Sequence, residues 1–128
     1  MRILLDTHIF IWWDSTPDQL SAEARRLCED ADNTLVLSIA SVWEMQIKYQ
    51  LGKLSLHKPL PDLIRSQQQT NGLELLPVQL EHVYALSSLP PHHKDPFDRL
   101  LIAQARTEGL ALVSMDAAFQ QYPVTLLG

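Results

Sequence analysis

A single cysteine, Cys28, among 128 residues excludes an internal disulfide and a thiolate cluster for zinc or iron–sulfur ligation. Any metal site must be built from oxygens or imidazoles. Glycine is scarce, with four residues in all, which sets aside collagen-like and low-complexity chains. No glycine-rich phosphate loop, Gly-x-Ser-x-Gly elbow or Cys/His nucleophile pattern occurs. The longest apolar run, Ile9 to Trp13, is far short of the roughly 20 residues that span a bilayer. The opening segment reaches Asp6 without the apolar core or cleavage site of a secretory signal, so a cytoplasmic protein without membrane contact is expected. Basic charge is also in deficit: ten Lys and Arg stand against fifteen Asp and Glu, for a formal −5. That is the wrong sign for a broad basic nucleic-acid surface, so a polyanionic substrate would need local neutralisation.

What the chain does contain is 46% hydrophobic and 20% charged residues, enough for one core and too little for two. One domain over residues 1–128 is expected. Arg2 to Leu5 is a short apolar segment ending at Asp6-Thr7, the pattern of a strand covered on both faces. Ser21 can cap a helix to about Asp30, Thr34 to Leu37 reads as a second strand, and Ser38 caps a helix that runs to Leu51 and ends at Gly52. The apolar flank of that helix is Val42, Trp43, Ile47 and Leu51. Lys53 to Pro61 reads as a connector, Asp62 to Gln69 as a short surface helix, Leu73 to Val78 as a strand and Leu80 to Leu86 as a helix. After the loop Pro90–Lys94, Pro96 opens a helix that ends at Gly109. Leu110 to Val113 and Val124 to Leu127 complete the strands. The alternation predicts an α/β sandwich with a central, mostly parallel sheet of four to five strands flanked by helices. Ligands of such a fold bind outside the carboxyl ends of the strands.

Four acids from separate elements fall near those ends: Asp6 after the first strand, Glu44 two turns into the helix after the second, Asp98 in the first turn of the Pro96 helix, and Asp116 after the fourth strand. Two carboxylates 4 Å apart repel by about 4 kcal/mol at an effective dielectric of 20, so a cluster of them calls for protons or cations. Mg²⁺ or Mn²⁺ are the natural occupants of an all-oxygen site. Each acid also has a structural reading. Asp6, Asp95 and Asp116 could cap helices, Asp98 suits a helix dipole, and Glu44 could join a capping box with Ser41 or pair with Lys48. Singly, the structural readings lead; jointly, the pattern favours a site. His92 and His93 read as a solvated loop, and Phe10, Trp12 and Trp13 as core or a dimer face.

At these residues the sequence resembles the PIN-domain ribonucleases, specifically the VapC-type toxins of bacterial toxin–antitoxin pairs. The blocks are Leu4-Leu5-Asp6-Thr7-His8, Ser38 through Glu44, His93 through Ala105 with its Asp95-Pro96-Phe97-Asp98 core, and Leu112 through Asp116. The resemblance implies a single PIN-like domain, metal-dependent endonucleolytic cleavage of RNA, a cognate antitoxin and a homodimer. It carries the family acids onto Asp6, Glu44, Asp98 and Asp116, with Ser114 at a Ser/Thr position. Asp6, Asp98 and Asp116 are then the expected metal ligands, with Glu44 completing the site. Thr7, Ser114, Arg99 and Asp95 are candidates for phosphate or supporting contacts, and Mg²⁺ or Mn²⁺ would offset most of the chain's negative charge. A dehalogenase-like phosphatase would want a second Asp where His8 stands. A PIN-like module that only binds, with its acids unused, is the remaining alternative.

Overall fold

The computed structural model describes residues 1–92 and 95–128; the expected loop residues His93 and Lys94 lie outside the described residues. Strand β1 (Arg2–Leu5) pairs in parallel with β2 (Thr34–Ser38) on one side and β4 (Ala111–Val113) on the other. Strand β3 (Glu74–Leu76) extends the sheet beyond β2, and β5 (Leu126–Leu127) beyond β4, for an all-parallel order β3-β2-β1-β4-β5.

Strand geometry divides the apolar residues between two layers, because successive side chains point to opposite faces. Ile3, Leu5, Leu35 and Leu37 face one layer, where they meet Ile9, Phe10, Ala24, Cys28, Met45, Leu60, Leu63 and Ile64. Those come from helices α1 (Thr7–Ser15), α2 (Ala22–Glu29), α3 (Ile39–Gln50) and α4 (Leu60–Asn71). Leu4, Val36 and Leu112 face the other layer, packed on Leu101, Ile102, Ala103 and Ala105 of α6 (Pro96–Glu108), which follows the short α5 (Leu80–Ala85). Leu4 and Leu5 are fully buried, each contributing about 1.5–3 kcal/mol, so a charge at either would break the sheet's cover.

Helix α1 is not announced by the sequence pattern. Its Ile9–Trp13 stretch is apolar on every side and so shows no amphipathic period. Ile9 and Phe10 are buried, while Trp12 and Trp13 are half-buried against the same layer. Helix α4 begins earlier than Asp62 because Pro61 sits in its first turn, where its missing N–H is no loss. The flank of α3 is also corrected. It buries Ala40, Ser41, Glu44 and Met45 and leaves Trp43 and Leu51 exposed. Gly109, at φ +68, caps α6 in the left-handed conformation that glycine adopts without strain, and Gly52 follows α3 in the same way.

Candidate active site

The sheet order reverses direction at β1, since β2 and β3 are added on one side and β4 and β5 on the other. The carboxyl ends of β1 and β4 therefore border the crevice where ligands of such sheets bind. Asp6 leaves β1 there and its N–H donates to the Val113 carbonyl at 3.0 Å. It occupies the N-cap position of α1 but makes no capping hydrogen bond. Instead its Oδ2 accepts from Ser114 Oγ at 2.9 Å, and Ser114 Oγ accepts from the Asp116 N–H at 3.0 Å. One hydroxyl thus orients Asp6 and sets the turn that carries Asp116.

Only 4% of Asp6 is exposed, and burial is the main reason its carboxyl is pushed above the usual carboxylate range. The Ser114 bond and the charge of His8 pull it down, while Glu44 and Asp116 push it up. The mutual influence of three acids from three elements is the electrostatic signature of a shared cleft.

Helix α3 brings Glu44 to this edge. Thr7 Oγ1 donates to Ser41 Oγ at 2.8 Å, a buried bond joining the first turns of α1 and α3. One turn beyond Ser41, Glu44 is itself 96% buried, with its Oε2 bonded to Lys48 Nζ at 2.9 Å. Its Oε1 is buried and has no hydrogen-bond partner among the described residues. Leaving such an acceptor unsatisfied costs about 1–3 kcal/mol or more for a charged group, so the atom marks a place for a hydrogen-bond donor or a cation. The capping box with Ser41 does not form, because Ser38 is the α3 cap and accepts from the Ala40 N–H at 3.0 Å.

Helix α6 runs back towards the start of β4, so its first turn lies at the same edge as the acids. Asp98 sits there, half-buried. Asp95 caps this helix, its Oδ1 accepting from the Phe97 and Asp98 N–H groups at 2.9 and 3.1 Å. Phe97 meets Trp43 edge to face with ring centroids 5.3 Å apart, which ties the Glu44 turn to the Asp98 turn. Asp116, which is exposed, also caps the short 3₁₀ helix Ala117–Gln121 through the Ala118 N–H. Arg99 Nη1 donates to the Pro90 carbonyl at 3.0 Å and the Tyr122 hydroxyl at 3.3 Å, contacts that tie α6 to Pro90 and to Tyr122.

Among the described residues, ligand atoms converge within 4.8 Å at Glu81, His82 and Glu108 rather than at the Asp6 cleft. That grouping suits a metal poorly. His82 is fully buried, its Nδ1 accepts the Gln79 N–H at 3.0 Å, and the ring proton therefore sits on Nε2 facing Glu108 at 3.0 Å. The Asp6 cleft, with hard oxygen donors and an orphaned carboxylate oxygen, is the better match to a divalent cation. A cavity of about 620 Å³ lies at the opposite, amino-terminal edge of the sheet, lined by Arg2, Arg106, Gly109 and Thr125 among others. A groove of about 210 Å³ is lined by Ser114 and Asp116 together with Glu23, Gln120 and residues 126–128, and touches the site acids only through Asp116. Sequence reasoning missed the Thr7–Ser41 link and the exposed Trp43; an indole beside Glu44 was the available signal.

The sequence profile of the PIN domain family matches residues 3–124. A ribonuclease named VapC22 from Mycobacterium tuberculosis is 27% identical over 97% of each chain. The structure of VapBC2 from Rickettsia felis, bound to a DNA fragment from its promoter, superposes with a TM-score of 0.74 at 18% identity, covering 98% of this chain and 97% of that one. FitAcB from Neisseria gonorrhoeae superposes with a TM-score of 0.67 at 17% identity, over 100% of this chain and 97% of that one. These structural likenesses bear on the fold, and the profile match decides the family. With acids at the carboxyl edge of a β3-β2-β1-β4-β5 parallel sheet, this chain belongs to the PIN-domain family.

Proposed function

We propose that this chain is the ribonuclease toxin of a toxin–antitoxin pair, a hydrolase that cleaves RNA phosphodiester bonds internally with Mg²⁺ or Mn²⁺, residues 1–128 forming one nuclease domain. The observation that carries this reading is the cleft itself: buried Asp6, held by Ser114 and biased by Glu44 and Asp116, beside the unpartnered Glu44 Oε1. Asp6, Glu44, Asp98 and Asp116 would hold the metal. When bound, such ions supply an activated water, neutralise the nonbridging phosphate oxygens and assist the leaving oxygen.

The chain's own groups do the rest. Ser114 holds Asp6 in one rotamer, and Asp95 fixes the first turn that presents Asp98. Glu44 Oε1, without a hydrogen-bond donor, is suited to take a proton from the attacking water. Lys48 Nζ holds the other oxygen, Oε2, at 2.9 Å and so fixes the carboxylate's orientation. Water breaks the P–O bond, and no side-chain nucleophile is needed.

The ribonuclease name of the VapC22 relative and the VapBC and FitAcB complexes support the assignment. A cognate antitoxin and a homodimer are part of the reading. An antitoxin covering the cleft would suit an Arg side chain, whose planar fork matches a carboxylate. Purified protein should cut a mixed RNA pool with Mg²⁺ or Mn²⁺ and stop on adding EDTA. Undiminished cleavage in EDTA would refute the metal mechanism. The neighbouring gene should encode a small protein that co-purifies with this one.

A further inference from the structure

Trp43 is 62% exposed although it is the largest side chain on α3. The sheet layers take Ala40, Ser41, Glu44 and Met45 from this helix, so Trp43 is not needed by the core. It directly precedes Glu44 in the chain, and its ring meets Phe97, the residue before Asp98, at 5.3 Å and 74°. That edge-to-face geometry is a favourable one and holds the indole in a defined orientation. The indole therefore stands on the rim of the cleft, between the turns that carry two of its acids.

We propose that Trp43 is a stacking platform for an unpaired nucleobase of the RNA strand next to the bond that is cut; the proposal rests on the ribonuclease reading. A strand whose phosphate lies at the acids must pass the rim with its neighbouring bases. Charge alone holds such a strand weakly here, because the chain carries a formal −5 and Lys48 is already paired with Glu44. Stacking supplies affinity that does not depend on basic residues, and it acts on unpaired bases of any identity. A protein partner is the less favoured occupant. Exposed apolar surface on this turn amounts to Trp43 and Ile39, far from the roughly 800 Å² per partner of a stable interface.

The test uses a short single-stranded oligoribonucleotide of mixed sequence, with wild type, Trp43→Ala, Trp43→Leu and Trp43→Phe. Loss of one stacked base corresponds to about a 5- to 150-fold weakening. Trp43→Ala and Trp43→Leu should raise KM by that factor with a much smaller change in kcat, and Trp43→Phe should largely restore KM. The KM ratio between wild type and Trp43→Ala should change little with salt. An abasic nucleotide at the stacked position should raise KM for wild type and not for Trp43→Ala, a coupling that a structural role would not produce. In EDTA, wild-type indole fluorescence should be quenched by the oligonucleotide, and the quench should vanish in Trp43→Phe.

Wild-type cleavage with unaltered KM in folded Trp43→Ala overturns the stacking role and leaves the ribonuclease reading standing. So does a change in sedimentation mass as the sole effect, which would make Trp43 a subunit contact. Neither cleavage nor quenching by wild type overturns both readings, whereas quenching without cleavage overturns the ribonuclease reading and with it a platform beside a scissile bond, leaving Trp43 as a base-binding residue only.

Discussion

Replacing Asp6 with Asn separates a charge site from a structural carboxylate, because the two roles predict opposite signs in the metal-free protein. The charged form of Asp6 is disfavoured first by burial and then by repulsion from Glu44 and Asp116, offset in part by the Ser114 hydroxyl and the charge of His8. Asn keeps the shape and an oxygen that can accept from Ser114 Oγ, but removes the charge. If the cleft is a cation site, Asp6→Asn should match or exceed the wild-type melting temperature in EDTA. If Asp6 is a net-stabilising anchor, weakening its charge-assisted bond should cost about 1–2 kcal/mol. For 128 residues the unfolding entropy near Tm is about 0.27 kcal/mol/K, so 1 kcal/mol corresponds to about 4 °C. The anchor reading thus predicts a drop of about 4–8 °C.

Metal supplies the second half of the comparison. At a free Mn²⁺ concentration 100 times the dissociation constant, wild type should gain about 2.7 kcal/mol, or about 10 °C. A hundredfold weaker site in Asp6→Asn would leave about 0.4 kcal/mol at that concentration, or about 1.5 °C. The pH dependence has a definite sign. The folded carboxyl binds its proton more tightly than the unfolded one, whose ordinary value is 3.8. Between that value and the raised one the folded state holds more protons, so metal-free stability falls as pH rises through the interval. The Asp6 contribution should vanish from the difference between wild type and Asp6→Asn below that interval. Thermal melts by circular dichroism, in EDTA and in Mn²⁺ across pH, give every number required. A drop of 4 °C or more in EDTA with an unchanged Mn²⁺ response would refute the reasoning.

Other outcomes follow from single contacts. Ser114→Ala removes the donor to Asp6 and the acceptor for the Asp116 N–H. It should lower stability by about 1.5–3 kcal/mol. With its hydrogen bond to the charged form lost, Asp6 should also hold its proton to higher pH, moving the acid limb of the pH–rate profile upward. Asp95→Asn preserves a capping oxygen and should keep stability and activity, whereas Asp95→Ala should lose about 1 kcal/mol in melts. Asp98→Asn, by contrast, should abolish cleavage while the fold remains. Cys28 is buried, and burial pushes its thiol up to about 12. Ellman's reagent at pH 8 should therefore react with it only on unfolding; rapid reaction of the native protein would contradict the packing of α2.

Much of this protein is legible in its sequence because the signals are local. Short apolar runs mark β1, β2 and β4, the first followed by Asp6 and the last by Ser114-Met115-Asp116; Ser38 and Ser21 cap helices as read, and Pro96 and Gly109 bracket α6. The positions of Asp6, Glu44, Asp98 and Asp116 along the chain follow from the same punctuation. Tertiary structure decided what each residue faces. Periodicity marks Val42, Trp43, Ile47 and Leu51 as the apolar flank of α3, but the helix crosses the carboxyl edge of the sheet and turns Glu44 inward and Trp43 out. Helix α1 has no period to read, because it is apolar on all sides. Whether an aspartate caps a helix or serves the cleft depends on which donor reaches it across the fold. Asp95 takes two N–H groups of its own helix, while Asp6, in the same local setting, turns to a hydroxyl 108 residues away. Local sequence places a carboxylate at a strand end; only the neighbouring strand supplies the group that orients it.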